Sequence, residues 1–162
     1  MIRQITKEDI PECVSVIRES FLTVGKEFGI TPENSPMFTA YATDENKILH
    51  WMYNQNRPMY GYFEDGRLVG YYNLYLPAEG ECELGSLCVL PDKRHGGIGD
   101  ALLNDSLARA KELGCKKMKL SIVEENTVLR KWYEDRGFVH LGTKKFDFFS
   151  FTCGYLEKDL MM

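Results

Sequence analysis

One stretch, Leu87-Cys88-Val89-Leu90-Pro91-Asp92-Lys93-Arg94-His95-Gly96-Gly97-Ile98-Gly99-Asp100, limits what this chain can fold into more than any other. An apolar, strand-like run stops at a proline and a basic tripeptide follows. Glycines then open onto Ile98, Leu102, Leu103, Leu107 and Ala110, spaced as one face of a helix. A strand delivered through a glycine turn into a helix belongs to a layered α/β architecture. The same turn builds an anion site, because the first N–H groups of a helix lack partners within it and the helix dipole favours negative charge there. Glycine lets a phosphate approach the backbone; a turn in which glycine merely relieves strain is the alternative. Two familiar phosphate loops do not fit. A dinucleotide fingerprint starting at Gly97 needs glycine or alanine where Leu102 stands, and a P-loop needs Gly-Lys-Ser/Thr where Ile98-Gly99-Asp100 stands.

Around this stretch the hydrophobic period alternates between two and 3.6. Ile2–Ile5 reads as a short strand. Asp9 follows as a helix N-cap with Pro11 in the first turn and Glu12 as its capping-box partner, Thr6 being a rival cap. Ile10, Val14, Ile17 and Phe21 mark the first helix. From Gly25 to about Pro58 the pattern is less regular, with one helix expected around Asp44–Tyr53. Met59–Phe63 and Arg67–Leu76 form a hairpin on Glu64-Asp65-Gly66, since Asp-Gly tolerates positive φ. Glu81–Leu90 is a strand, the helix from Gly97 ends at Gly114, and Lys117–Val123 is a strand. Asn126–Arg136 is a helix, and the tail from Phe138 to about Leu160 holds two strands. No repeat or linker-like tract divides residues 1–162, a length that suits one domain.

Composition removes several classes. With 20 Lys+Arg against 24 Asp+Glu, the net charge of −4 argues against nucleic acid or an anionic membrane as partner. The 5 cysteines include no C-x-x-C pair, which suits reduced thiols in a cytoplasm. His50, His95 and His140 are too scattered for a structural metal. Charged residues run through the first two dozen positions, so no secretory leader is expected there, and the longest apolar run is too short to span a bilayer. The expected setting is cytoplasmic.

The run Arg94-x-x-Gly97-x-Gly99, preceded by Leu87-x-Val89-x-Pro91, resembles the acyl-CoA-binding signature of the GNAT N-acetyltransferase superfamily. The second motif of that superfamily is matched by Asn126-x-x-Leu129-x-x-Trp132-Tyr133-Glu134-x-x-Gly137-Phe138. The resemblance covers nearly the whole chain except roughly residues 25–58. It implies an α/β fold with a mixed, mostly antiparallel central sheet of six or seven strands flanked by about four helices. It further implies acetyl-CoA as co-substrate, with no metal, and direct transfer of an acetyl group to a primary amine, a small molecule being favoured over a protein. The cofactor contacts carried over are Leu87, Cys88, Val89, Arg94, His95, Gly96, Gly97, Ile98, Gly99 and Asn126. Two positions depart from the pattern. Asp100 puts a carboxylate just past the last glycine and is expected to face away from phosphate, and Leu129 replaces a commonly small residue beside the pantetheine arm.

Amine acylation requires a base, an oxyanion site and an acid, because an alkyl ammonium with pKa near ~10.4 offers little nucleophile at neutral pH. Glu83, eight residues before Pro91, stands where some members of the superfamily carry a catalytic glutamate; Glu81 shares its side parity and is the substitute, and a solvated carboxylate is the plain alternative. Tyr133 matches the tyrosine that the superfamily places near the CoA sulfur, so it is the expected general acid, against a core-packing role beside Leu129 and Trp132. Backbone N–H groups around Leu87–Val89, where the superfamily has a strand bulge, are the expected oxyanion donors. Cys88 is expected to be a buried structural thiol rather than a nucleophile.

The acceptor side is expected in residues 25–63, whose aromatics (Phe28, Phe38, Tyr41 and Trp51 among them) either box an acceptor or pack helices onto the sheet. Phe146, Phe148, Phe149 and Phe151 exceed what one strand face buries, which suggests a homodimer. A non-catalytic acyl-CoA-binding sensor on the same fold is the rival function; it needs the Gly97/Gly99 turn but neither Glu83 nor Tyr133.

Overall fold

The computed structural model describes residues 1–161. Its strands are β1 (Ile2–Gln4), β2 (Met59–Glu64), β3 (Arg67–Tyr75), β4 (Glu81–Val89), β5 (Lys117–Val123), β6 (Val139–Lys145) and β7 (Thr152–Asp159). They form one seven-stranded sheet in the order β1-β2-β3-β4-β5-β7-β6. Every neighbouring pair is antiparallel except β4 and β5, which run parallel. The helices are α1 (Ile10–Phe28), α2 (Thr39–Ala42), α3 (Glu45–Leu49), α4 (Ile98–Glu112) and α5 (Thr127–Glu134). Among the described residues, no helix is long and apolar enough to cross a membrane.

The two-residue alternation of β3 separates the layers. At Gly70 a Cβ would lie 2.7 Å from Leu102 Cδ1 of α4, so glycine lets that helix seat on the sheet. Its neighbour Tyr71 points to the other face, beside Cys13 of α1, and is fully buried. The main core between sheet and helices holds Ile17, Leu68, Leu74, Leu102, Leu103 and Met118, each at most 1% exposed. The β2–β3 turn has φ of 50° at Asp65 and 78° at Gly66, the two positive values that a tight hairpin asks for.

Three sequence expectations shift. Asp9 holds the N-cap position of α1 but makes no side-chain cap bond there; the capping box forms one turn earlier, where the Thr6 amide donates to Asp9 Oδ2 at 2.8 Å and heads a short 3-10 turn that feeds α1. Glu12 does not close a capping box, because its carboxylate receives the Leu68 amide of β3 at 2.8 Å and ties helix to sheet. The helix expected around 44–53 is capped by Asp44, which accepts the Lys47 amide at 2.8 Å, but changes to one π turn over His50–Asn54.

The phenylalanine run 146–151 lies mostly in the connection between β6 and β7 rather than in a strand. Phe149 stacks on Phe151 with centroids 4.5 Å apart, and Phe151 meets Phe38 edge-on at 5.4 Å, making a second core under α1 and α2. Only Phe148 of the four is mainly exposed, at 50%. Most of the run is therefore accounted for within one chain.

Candidate active site

The glycine turn enters α4 with backbone conformations that few residues adopt. His95 has φ of 66° and Gly97, the N-cap, has φ of 88°. The first intrahelical bond runs from the Ala101 amide to the Gly97 carbonyl at 3.0 Å. The amides of Ile98, Gly99 and Asp100 therefore sit in the unpaired first turn. The Ile98 side chain is buried, so only its backbone is available to a ligand, while His95, Gly96 and Gly97 are exposed.

The cations beside this turn already have protein partners. Arg94 donates from Nε to the Val89 carbonyl at 3.0 Å, from Nη2 to the Ser20 carbonyl at 3.0 Å and from Nη1 to Thr23 Oγ1 at 3.1 Å. It fastens the turn to α1. Lys93 pairs with Glu64 at 3.1 Å. Asp100 is held sideways by Arg136, whose Nε and Nη2 donate to its two oxygens at 2.6 and 3.0 Å. That guanidinium lowers the Asp100 pKa and lies 4.0 Å over the Trp132 ring, which in turn covers Gly99. An anion at the turn meets amides and glycine surface first, and this carboxylate is already neutralised.

Beyond the turn the sheet opens. β4 and β5 pair only over Glu81–Glu83 and Lys117–Lys119 and then diverge. On its other side, β4 slips register against β3 between Tyr71 and Asn73, and Ser86 takes φ of 50° in this bulge. A buried polar bracket stands behind the bulge. Asn73, fully buried, accepts from Arg57 Nη1 at 3.0 Å and donates to the Tyr71 hydroxyl at 3.2 Å. At Gly85 a Cβ would fall 2.4 Å from Asn73 Oδ1, so only glycine fits there. The β4 edge that leaves β5 at Glu83 thus carries backbone groups without strand partners on that side as far as Val89.

The splay holds a cavity of about 170 Å³, lined by Ser86, Leu87, Asn126, Leu129 and Tyr133 on its motif-bearing side. Asn126 caps α5 by accepting the Leu129 amide at 3.2 Å while facing this cavity. Tyr133 is 6% exposed, with Trp132 and Phe138 edge-on at 5.0 and 5.3 Å. Burial, with a contribution from Cys88, raises its phenol pKa, so it stays protonated at neutral pH. Cys88 lies inside the fold with its thiol pushed up to about 12 by burial, which suppresses the thiolate and removes it as a nucleophile.

A second cavity, about 480 Å³, lies on the α1 face of the sheet and shares Leu84, Leu120 and Ser121 with the first. Glu83 opens into it and is exposed, in register with Lys119 of β5 and Tyr75 of β3. Glu81 is drawn toward Lys119 at 3.8 Å and does not line the groove, so Glu83 has the better position of the two. Across the floor follow Ser121, Tyr155 and Thr143. Tyr155 has a raised pKa, from burial first and then from Cys153 and Glu83.

The structure brings Glu83, Leu87, Asn126 and Tyr133 around one splay, and sets the glycine turn at the head of α4 beyond the end of β4. It does not line either cavity with most of the aromatics of residues 25–63; Phe38 alone of them does. The other rings at the cavity walls, Phe21, Tyr133, Phe149, Phe151 and Tyr155, lie outside that stretch. Sequence reading missed Lys119, Ser121 and Tyr155 because no local motif marks them; strand alternation after Glu83 was the one available signal.

A sequence profile of the acetyltransferase (GNAT) family matches residues 27–138. An uncharacterized N-acetyltransferase of Mycobacterium tuberculosis is 26% identical over 117 residues, covering 72% of this chain and 75% of that protein. An amino-acid acetyltransferase of Azotobacter vinelandii is 39% identical over 82 residues, 50% of this chain and 18% of that much longer protein. The crystal structure of PaiA N-acetyltransferase from Thermoplasma acidophilum in complex with coenzyme A superposes with a TM-score of 0.78 at 24% identity, covering 98% of both chains. The splayed sheet with a glycine turn at its mouth defines an acyltransferase scaffold. The chain belongs to the acetyltransferase (GNAT) family and is an N-acetyltransferase.

Proposed function

We propose that this protein transfers an acetyl group from acetyl-CoA directly to a small primary amine. The observation that carries the reading is the placement of Glu83 and Tyr133 in two cavities that meet at Leu84, Leu120 and Ser121. One carboxylate faces the open groove and one phenol faces the splay, with the free β4 edge between them. The resemblance of the scaffold to a coenzyme A complex supports the choice of donor. The first-turn amides of α4 suit its pyrophosphate, and Asn126 and the Leu87–Val89 edge suit its arm.

Acetyl-CoA supplies an activated carbonyl and a thiolate leaving group. Glu83 takes the ammonium proton, directly or through one water, and frees the amine. The amine nitrogen bonds to the acetyl carbon, the developing oxyanion is met by β4 amides, the nitrogen releases its second proton to solvent, and the C–S bond breaks. The Tyr133 hydroxyl donates a hydrogen bond to the departing sulfur. Because a thiol has pKa near ~8.5, below that of the phenol, Tyr133 keeps its proton and stabilises the thiolate, which is protonated from solvent. A groove of about 480 Å³ is of small-molecule size.

Free-thiol release from acetyl-CoA across a panel of primary amines tests the reading, alongside calorimetric CoA binding. Amine-dependent thiol release supports it. CoA binding with no transfer to any amine replaces it with an acyl-CoA-binding sensor.

A further inference from the structure

The floor of the acceptor groove is chemically lopsided. Glu83 is the only acid lining it among the described residues, and it is the last residue of β4 paired with β5 before the splay. Moving away from it, the floor presents Lys119 and Ser121 on β5, Tyr155 on β7 and Thr143 on β6: one cation and three hydroxyls. Register sets them in order, since Lys119 pairs with Glu83, Tyr155 with Ser121, and Gly142 with Tyr155. Strands lie about 4.8 Å apart and rise about 3.4 Å per residue, so the donors begin roughly 5 Å from Glu83 and extend to roughly 12 Å at Tyr155, two strands across and two residues along. A Cβ at Gly142 would meet nothing within 4 Å, so the floor stays open beside that tyrosine.

The other charges on this face are largely spoken for. Lys117 pairs with Glu157 at 3.2 Å, and Arg57 is fixed by Gln55 and Asn73 at 2.7 and 3.0 Å. Lys119 makes one ion-pair contact, with Glu81 at 3.8 Å, the side chains being 41% and 45% exposed, while Glu83 and Glu157 stand across from it in register. A pair that long and that wet holds its ammonium weakly, so Lys119 is available to a ligand. Tyr155, its phenol pKa raised, presents an intact hydroxyl donor.

We infer that the acceptor is a compact primary amine that also carries a carboxylate, with its amino group toward Glu83 and its carboxylate on Lys119, Ser121 and Tyr155. This rests on the acetyl-transfer reading above and names the acceptor class within it. The arrangement also works against polycations, because a second ammonium would lie against Lys119. Charge-assisted hydrogen bonds to a carboxylate are the strong ones, and a matched amine without it forfeits them.

The test compares kcat/KM for matched amines that differ by one carboxylate: glycine with methylamine, 4-aminobutyrate with propylamine, and phenylalanine with phenethylamine, with spermidine as the polycation. At least one carboxylated member should exceed its partner by about 10-fold. Lys119→Ala should abolish that preference through KM while leaving CoA affinity as in the wild type, and Lys119→Arg should retain most of it. Lys119 is half exposed, so neither change threatens the fold. Equal or better use of the neutral amines or of spermidine overturns the inference, as does a carboxylate preference that survives Lys119→Ala. Transfer to no amine overturns it too. The two layers separate: CoA binding with amine transfer but no carboxylate preference sinks this inference alone, whereas failure to bind CoA, or binding with no transfer, sinks the acetyl-transfer reading beneath it.

Discussion

The two sides of the β4–β5 splay are built by opposite means. The motif-bearing side is made from contiguous chain: the end of β4, the glycine turn, the first turn of α4 and one helix further on. Its chemistry is mainly backbone, with amides freed by a helix start and by a bulge, so residue identity matters through what it permits. The acceptor side is assembled from β4, β5, β7 and β6, and its chemistry is carried by exposed side chains on a flat floor. A backbone-made site tolerates little variation and leaves a readable signature; a side-chain-made floor can change its guest by single substitutions without disturbing the sheet.

The comparison can be broken at its centre by Tyr133→Phe. Loss of the phenolic hydroxyl should cut kcat by about 10²–10³-fold with CoA affinity nearly unchanged; a wild-type rate removes the tyrosine from the chemistry. Glu83→Gln should lower kcat/KM by about 10²-fold with CoA affinity nearly unchanged. A wild-type kcat/KM would assign the base elsewhere. On the backbone side, Gly97→Val forces a β-branched residue to φ of 88°, a strain of roughly 1–2 kcal/mol, and should weaken CoA binding about 10-fold in calorimetry. Affinity equal to wild type would show that this turn does not set the cofactor's seat.

The smallest effect belongs to a residue remote from both sides. Asp9 has its pKa lowered to about 2 from 3.8, by the Arg3 hydrogen bond first and then by Thr6. Its contribution to stability is complete above pH 3.8 and fades as pH falls through about 2, since a depressed carboxylate must be protonated on unfolding. Asp9→Asn should cost about 1 kcal/mol in urea unfolding at neutral pH and almost nothing near pH 2, with kinetics on both sides unaltered. A kinetic change there would mean that the cap reaches the site.

What the sequence made legible follows the same division. β5 was bounded at Lys117 and Val123 because Pro91, Gly114 and the change of hydrophobic period punctuate the chain around it. Asn126, Tyr133 and the glycine turn were found because each lies in a local motif. The bracket of Arg57, Asn73 and Gly85 was invisible, since it joins residues from a loop and two strands through one buried amide. Arg94 read as a phosphate cation by its motif position, whereas its donors are taken by Val89, Ser20 and Thr23, contacts that depend on where α1 crosses. The aromatics of 25–63 signalled a pocket by number alone; packing sent Trp51 into the main core and Phe28 and Tyr41 to the second.

The parallel contact between β4 and β5 spans three residue pairs, so the sheet is two half-sheets, β1–β4 and β5–β7, hinged at one end. A ligand lying in the gap and bonding the open β4 edge supplies rungs that the protein's own ladder omits. On the acetyl-transfer reading proposed above, binding becomes part of the architecture: a ligand at 100 times its dissociation constant raises stability by about 2.7 kcal/mol. On that reading the acyl-CoA substrate is the keystone of a sheet left open to receive it.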